Sequence, residues 1–248
     1  RSPRVFVVER GLIMNTAICF TGTGRSIKHT HLNLKQKLID SLPESDVFML
    51  IAKNPDAHKI SEYFGDLPQV KKIIIEEEED KDVDSLRFRP NWPSGKLSSK
   101  QIYIKMIESR KRCNEILSMY ERQNQISYDR VIFSRLDVKY FEDVSKNIHN
   151  LDLKNLYVPD FHNTFGGAVN GYNDRFAISG RRNMDTYFRV PESVNNFMQS
   201  GGLIHAETLL KWHLNNYNIN VKNLPIRFTR VRPDGTEMDL RIENRENW

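Results

Sequence analysis

Over its first 140 residues the chain alternates short apolar runs with helix-like spacings, and no other feature constrains the fold as much. Residues 16–20 form a strand-like run that stops at the glycine-punctuated turn Thr21-Gly22-Thr23-Gly24-Arg25. Leu34, Leu38 and Leu42 then repeat every fourth residue, the spacing of one helix face. Residues 46–53 read as a second buried strand, 56–64 as a short helix and 70–75 as a third strand. The acidic run 76–80 opens a charged excursion, expected to be mobile, that reaches Gly95. Ser98 or Ser99 suits the N-cap of a long helix running to about Tyr120, with Ile102, Met106, Ile107, Cys113, Ile116 and Leu117 as its apolar stripe. Residues 130–133 form a fourth strand that delivers Ser134-Arg135-Leu136-Asp137. Strands separated by helices call for a parallel sheet with helices packed on its faces, so the expected fold class is α/β, an open Rossmann-type sheet.

After residue 140 the regular alternation fails. Residues 155–158 and 175–179 read as short strands on either side of a Gly- and Asn-rich stretch, 163–173. Residues 181–190, 193–198 and 205–214 read as helices, and 219–224 with 226–230 as a closing pair of strands. No linker or repeat divides the chain, which is expected to form a single domain over 1–248, with a regular half (14–140) and a smaller irregular half (141–248). Residues 1–13 stand ahead of Met14 as an extension with no assigned function.

Composition removes several classes. Hydrophobic residues at 39% and charged residues at 28% are a globular balance, not a disordered or low-complexity one. The apolar runs 5–8 and 48–52 fall far short of the roughly 20 residues of a membrane helix. The first 13 residues lack the pattern of a signal peptide. With only Cys19 and Cys113, a cysteine-based zinc site is excluded, no disulfide framework is expected, and a reducing, cytoplasmic setting is expected. The net charge of +5 attracts phosphate-bearing small molecules and polynucleotides alike.

Two stretches carry candidate chemistry. Gly22 and Gly24 open a G-x-G-x-x-G pattern, but Ile27 stands at the third glycine and no acidic residue ends the second strand, which disfavours a hydride-transfer cofactor. The P-loop spacing is absent as well. The turn is then either a backbone approach for a ligand, with Arg25 meeting an anion where strand hands over to helix, or a plain tight turn with a surface arginine. Arg135 and Asp137 sit two residues apart, so they point the same way at the carboxyl end of the fourth strand, the edge at which open α/β sheets bind ligands. There Asp137 can ligate Mg²⁺ or Mn²⁺ and Arg135 can neutralise phosphate, or the two form a structural ion pair.

Residues 14–25 resemble the opening strand and "SGQxR" turn of a group of small GT-A-like glycosyltransferases from bacteria and large DNA viruses. The similarity continues through the 101–120 helix. Residues 128–138 are similar to that group's "YDxVIxxRxDv" segment, Asn173 to Ile178 with Met184 and Tyr187 to its "nDrfaig…M..Y" block, and residues 205–210 to its "pE..L" helix. Together these cover most of residues 14–224. The resemblance implies a GT-A-like domain in which 14–140 binds a nucleotide sugar and 141–248 faces the acceptor. It implies transfer of one pentose or hexose from a nucleoside diphosphate donor, such as a UDP-sugar, to a glycan of a glycoprotein or polysaccharide. The donor would lie between the first and fourth strands, on Thr21, Gly22, Gly24, Arg25, Arg135 and Asp137. Gln101 and Lys105, with Lys96 and Lys100, either reach the diphosphate from the long helix or form a solvated face. GT-A folds usually carry D-x-D at the fourth strand, whereas Arg135 stands here at the first Asp. Asp137 is left to bind Mn²⁺ or Mg²⁺ or to grip the donor sugar's hydroxyls.

If the transfer inverts the sugar, a carboxylate must take the acceptor's proton. Asp174 and Glu207 are the candidates, with Asp174 slightly favoured; the plainer readings are a turn aspartate and a first-turn helix acid. His29 and His31 lack the partners of a metal site. Arg227, Arg230, Arg232 and Lys222 form an anion-binding rim or ordinary edge-strand charge. Residues 162–167 suit an acceptor loop. Competing classes are a nucleotidyltransferase, which would present more metal-binding carboxylates, and a non-enzymatic module for single-stranded nucleic acid, disfavoured because the aromatics are not interleaved with Lys and Arg. No nucleic-acid partner and no membrane span are expected.

Overall fold

A computed structural model of the chain describes residues 14–90, 92, 97–161 and 170–238. The extension ahead of Met14, Lys96 and the expected acceptor loop 162–167 lie outside the described residues.

The apolar runs become β1 (Thr16–Gly22), β2 (Ser45–Ala52), β3 (Val70–Glu76) and β4 (Arg130–Arg135), all parallel. β1 is central, with β2 on one side and β4 on the other. Its residues alternate between two apolar layers: Ala17 and Cys19 enter one core cluster, Ile18 and Phe20 the other, all fully buried. Burial on both faces is why β1, β2 and β4 read as continuous apolar runs, while β3 at the sheet edge is only half-buried; each fully buried Val, Leu, Ile, Phe or Met contributes roughly 1.5–3 kcal/mol.

The first layer is covered by the 28-residue helix α3 (Leu97–Asn124), which buries Tyr103, Ile104, Ile107, Cys113, Ile116 and Leu117. Ser98 and Ser99 lie inside its first turn instead of capping it, and Ile102 is half exposed, so the expected stripe is rotated toward Tyr103 and Ile104. The second layer is covered by α1 (Ile27–Leu34), prolonged through a π turn at Lys35–Ile39, and by α2 (His58–Phe64). Leu34, Leu38 and Leu42 are all buried there.

The second half extends the same sheet. β6 (Leu156–Pro159), β7 (Phe176–Gly180) and β8 (Val221–Leu224) give the order β3-β2-β1-β4-β7-β6-β8. β7 is antiparallel to both β4 and β6, and β8 is parallel to β6, so β7 alone runs against the other six. The expected closing pair does not form. β8 joins the sheet edge, while β9 (Phe228–Arg230) pairs with a short β5 (Val138–Tyr140) in a separate two-stranded sheet. Pro225 supplies no donor between them, and the Ile226 N–H bonds back to the Leu224 carbonyl at 2.8 Å, a tight turn that directs the chain out of the main sheet. The short helices α4 (Ser145–Ile148), α5 (Arg181–Phe188) and α6 (Val194–Gln199), a 3₁₀ turn at Val190–Ser193, and α7 (Ala206–Asn216) complete the chain.

Residues 83–89 of the excursion after β3 are anchored, where the expectation was a mobile stretch. Val83 is buried, Leu86 and Phe88 pack against the core, and Phe88 bridges Ile204, with the Arg89 N–H donating to Ile204 O at 3.0 Å and the Ile204 N–H to Arg87 O at 2.8 Å. Its apolar residues lie beyond the acidic run and were masked by it. Cys19 and Cys113 are buried free thiols. Among the described residues no helix is long and apolar enough to cross a membrane.

Candidate functional site

Strand order reverses between β1 and β4, and a cleft of about 440 Å³ opens there at the carboxyl ends of the strands, the place where open α/β sheets bind ligands. The β1–α1 turn (21–26) and residues 135–137 line one cavity. The reversal of β7 brings in a third group. Because Phe176 pairs with Ser134, the start of β7 lies beside the end of β4, and Asp174 and Arg175 reach the same edge. The first residues of α7, Ala206 and Glu207, and the tail of β9, Arg230 to Pro233, close two further sides.

The turn is held open by its glycines. Gly24 has φ +66°, and a Cβ there would lie 3.1 Å from Ile60 Cδ1. Asn54 fixes the turn by donating from Nδ2 to the Thr23 and Ala52 carbonyls, and Ser26 Oγ donates to Val231 O at 2.7 Å, tying the turn to the β9 tail. Thr21 Oγ1 is buried on the cleft wall without a hydrogen-bond partner. Arg25 is exposed at the mouth, its Nε donating to Thr23 Oγ1 at 3.2 Å.

Arg135 grips Asp137 with two bonds, Nε to Oδ1 at 2.8 Å and Nη2 to Oδ2 at 2.6 Å. Burial opposes both charges, but Arg135 keeps the Asp137 carboxyl below its ordinary range, and Asp137 keeps the guanidinium charged. The expected Mn²⁺ or Mg²⁺ ligand is thus committed to an arginine through both oxygens. Among the described residues no three His, Cys, Asp or Glu side chains are grouped to hold a metal ion. The residues present do not fit a divalent cation at Asp137.

Asp174 and Glu207, paired by sequence reasoning, have opposite environments. Asp174 Oδ2 accepts from Arg110 Nη2 at 2.8 Å, with the two side chains 5% and 1% exposed. Burial alone would raise the Asp174 carboxyl, but Arg110, Arg135 and Arg175 hold it near pKa 2. Glu207 lacks such a partner. Burial first, and then the charge of Asp174, push it up to about 7. His205 Nδ1 lies 3.2 Å from Glu207 Oε2, but the two are not aligned for a hydrogen bond, and burial and Arg89 bring that imidazole down to about 4. The histidine is neutral at pH 7 and offers Glu207 no charge.

Other expected residues lie elsewhere. Gln101 Oε1 accepts from the Lys81 N–H at 3.0 Å, and Lys105 Nζ bonds Asp80 at 2.7 Å, so both pin the acidic loop instead of lining the cleft. Lys100 lies over the Phe88 ring. His31 stacks on Tyr63 and His29 packs against Gly235, outside the cleft. The basic cluster splits: Arg230 and Arg232 line the cleft, Arg227 pairs with Asp160, and Lys222 is exposed on β8. Sequence reasoning missed Arg110, which sits among charged residues of α3, and the cleft wall of Trp92 and Tyr103, whose rings lie 4.9 Å apart.

Fold and site together define an α/β protein with an arginine-lined cleft at its switch point. Residues 13–232 match the family described as Domain of unknown function (DUF7796), and the chain belongs to that family. No curated protein matches it. Solved structures similar to it include the apo form of the glycosyltransferase GlyE of Streptococcus pneumoniae TIGR4, at 12% identity and TM-score 0.46 over 85% of this chain and 45% of that one. A second GlyE structure has 13% identity and TM-score 0.42 over 84% and 45%. The chain spans somewhat under half the length of GlyE.

Proposed function

We propose that the chain is a glycosyltransferase that moves one sugar from a nucleoside diphosphate donor to a hydroxyl of a glycan. The observation that carries this reading is the meeting, in one cleft, of several arginines with a carboxylate held near neutrality. Glycosyl transfer needs both: stabilisation of the departing diphosphate, and a base for the acceptor proton. Glu207, rather than Asp174, is the base, because a carboxyl held near pKa 2 by Arg110 is a poor proton acceptor at pH 7. The acceptor hydroxyl gives its proton to Glu207 as its oxygen bonds the anomeric carbon. The bond from that carbon to the diphosphate oxygen breaks, and its electron pair leaves with the nucleoside diphosphate. A single displacement of this kind inverts the anomeric centre. Trp92, in contact with Tyr103 and His205, offers ring faces to the acceptor sugar.

Thermal unfolding with a panel of nucleoside diphosphates and a short oligonucleotide tests the reading. A ligand at a hundredfold excess over Kd adds about 2.7 kcal/mol, a clear upward shift. At least one nucleoside diphosphate is expected to raise Tm, and its sugar conjugate to release that nucleoside diphosphate when acceptor glycans are added. A shift with the oligonucleotide alone, erased by salt, would leave the enzyme reading without support and favour nucleic-acid binding.

A further inference from the structure

The cleft also bears on how a diphosphate would be held, an inference that rests on the donor site proposed above. We propose that the diphosphate is bound by a guanidinium clamp, Arg230 and Arg135 in the cleft and Arg25 at its mouth, and that this clamp takes the place of a divalent cation. Three observations converge. Each Asp137 oxygen already accepts a bond from Arg135, and no three or more described His, Cys, Asp or Glu side chains group to hold a metal.

Arg230 is placed by backbone register: it pairs with Val138, the residue after Asp137, and the following Val231 N–H donates to Asp137 O at 2.8 Å. Its Nε is buried on the cleft wall with no hydrogen-bond partner among the described residues. Burial, then the charges of Arg175 and Arg135, lower this guanidinium to about 10, so cations crowd one another where an anion would relieve them. Third, α1 begins at the same wall with no acidic residue in its first turn, so its positive dipole end stands unneutralised beside the cleft. Planar guanidinium groups match phosphate oxygens two at a time, which a lysine cannot do. In the sequence Arg230 was indistinguishable from edge-strand charge; the β5–β9 pairing separates it from Arg227.

Calorimetric titration with inorganic pyrophosphate, first in EDTA and then with Mg²⁺, tests the clamp without requiring the donor sugar. Pyrophosphate is expected to bind in EDTA with an affinity that Mg²⁺ changes less than about twofold. Arg230→Gln is expected to weaken binding tenfold or more, with Arg230→Lys between the two. Should Arg230→Gln fail to fold, Arg25→Ala, at an exposed position, is expected to weaken binding several-fold with Tm unchanged. Binding that needs Mg²⁺, or a folded Arg230→Gln that binds like the parent, overturns the clamp. Metal-free pyrophosphate binding with no turnover of any nucleotide sugar would keep the clamp and reject the glycosyltransferase reading. Turnover that requires metal would do the reverse.

Discussion

The Glu207 carboxyl is largely buried, faces the charge of Asp174, and has no cation of its own to pair with among the described residues. Its ionised form is therefore the strained one. Activity is expected to rise with pH through about 7, as the carboxylate forms, and Glu207→Gln to lower the rate by about 10²–10⁴ and remove that pH dependence. Stability moves the other way. The folded pKa lies above the unfolded value, so the folded state binds the proton more tightly; the residue is most favourable below about pH 4.5, and this is lost as pH rises through 7. The loss is at most about 3 kcal/mol. Glu207→Gln is expected to melt several degrees above the parent at pH 8, with the gap closing by pH 5; equal or lower melting at pH 8 would show that Glu207 is not strained. The sequence brought forward both acids but ranked Asp174 first, because Arg110, the residue that separates them, is 64 positions from Asp174, on a different element.

Among the elements, those legible from sequence were the ones whose signal is local. β1, β2 and β4 are buried on both faces and stand out as apolar runs, β3 is a half-buried edge strand marked by Ile73, Ile74 and Ile75, and all four end within two residues of the expected bounds. β5 has three residues, too few to show alternation, and the direction of β7 follows from its partners β4 and β6, not from its own composition. The β1–α1 turn was legible because glycine spacing records a backbone need. Gly24 takes a left-handed φ and is packed against Ile60, so Gly24→Ala is expected to destabilise the protein by about 1–2 kcal/mol in urea denaturation. It should also weaken pyrophosphate binding several-fold as the turn shifts. Adding Ile60→Val relieves the contact but not the backbone strain, and should restore only part of the loss. Unchanged stability and binding in Gly24→Ala would mean that the turn tolerates the side chain and its glycine serves neither purpose.

At the scale of the molecule, the two halves of the chain meet in one sheet, and among the described residues the ion pair Arg110–Asp174 crosses between them with both side chains buried. Arg110 on α3 from the first half bonds both the carbonyl and the carboxylate of Asp174 from the second, and its guanidinium lies over the Phe133 ring at 4.9 Å. Sequence alone could supply the strands of each half but not this contact, which depends on β7 docking beside β4. Removing one partner leaves a buried charge unmatched, so Asp174→Asn is expected to destabilise by about 3–5 kcal/mol, whereas an apolar replacement of both, Arg110→Met with Asp174→Leu, should be close to neutral. The acid dependence follows from the same pair. The folded pKa of Asp174 is depressed to about 2, so its contribution is present above the ordinary carboxylate range and is lost as pH falls through 2. Chemical denaturation of the parent and both variants from pH 3 to pH 7 measures this directly. The parent's advantage over Asp174→Asn should shrink toward acid pH. A constant difference, or a cost under 1 kcal/mol, would mean that the ion pair does not join the halves and that the charge of Asp174 has another counterpart in the cleft.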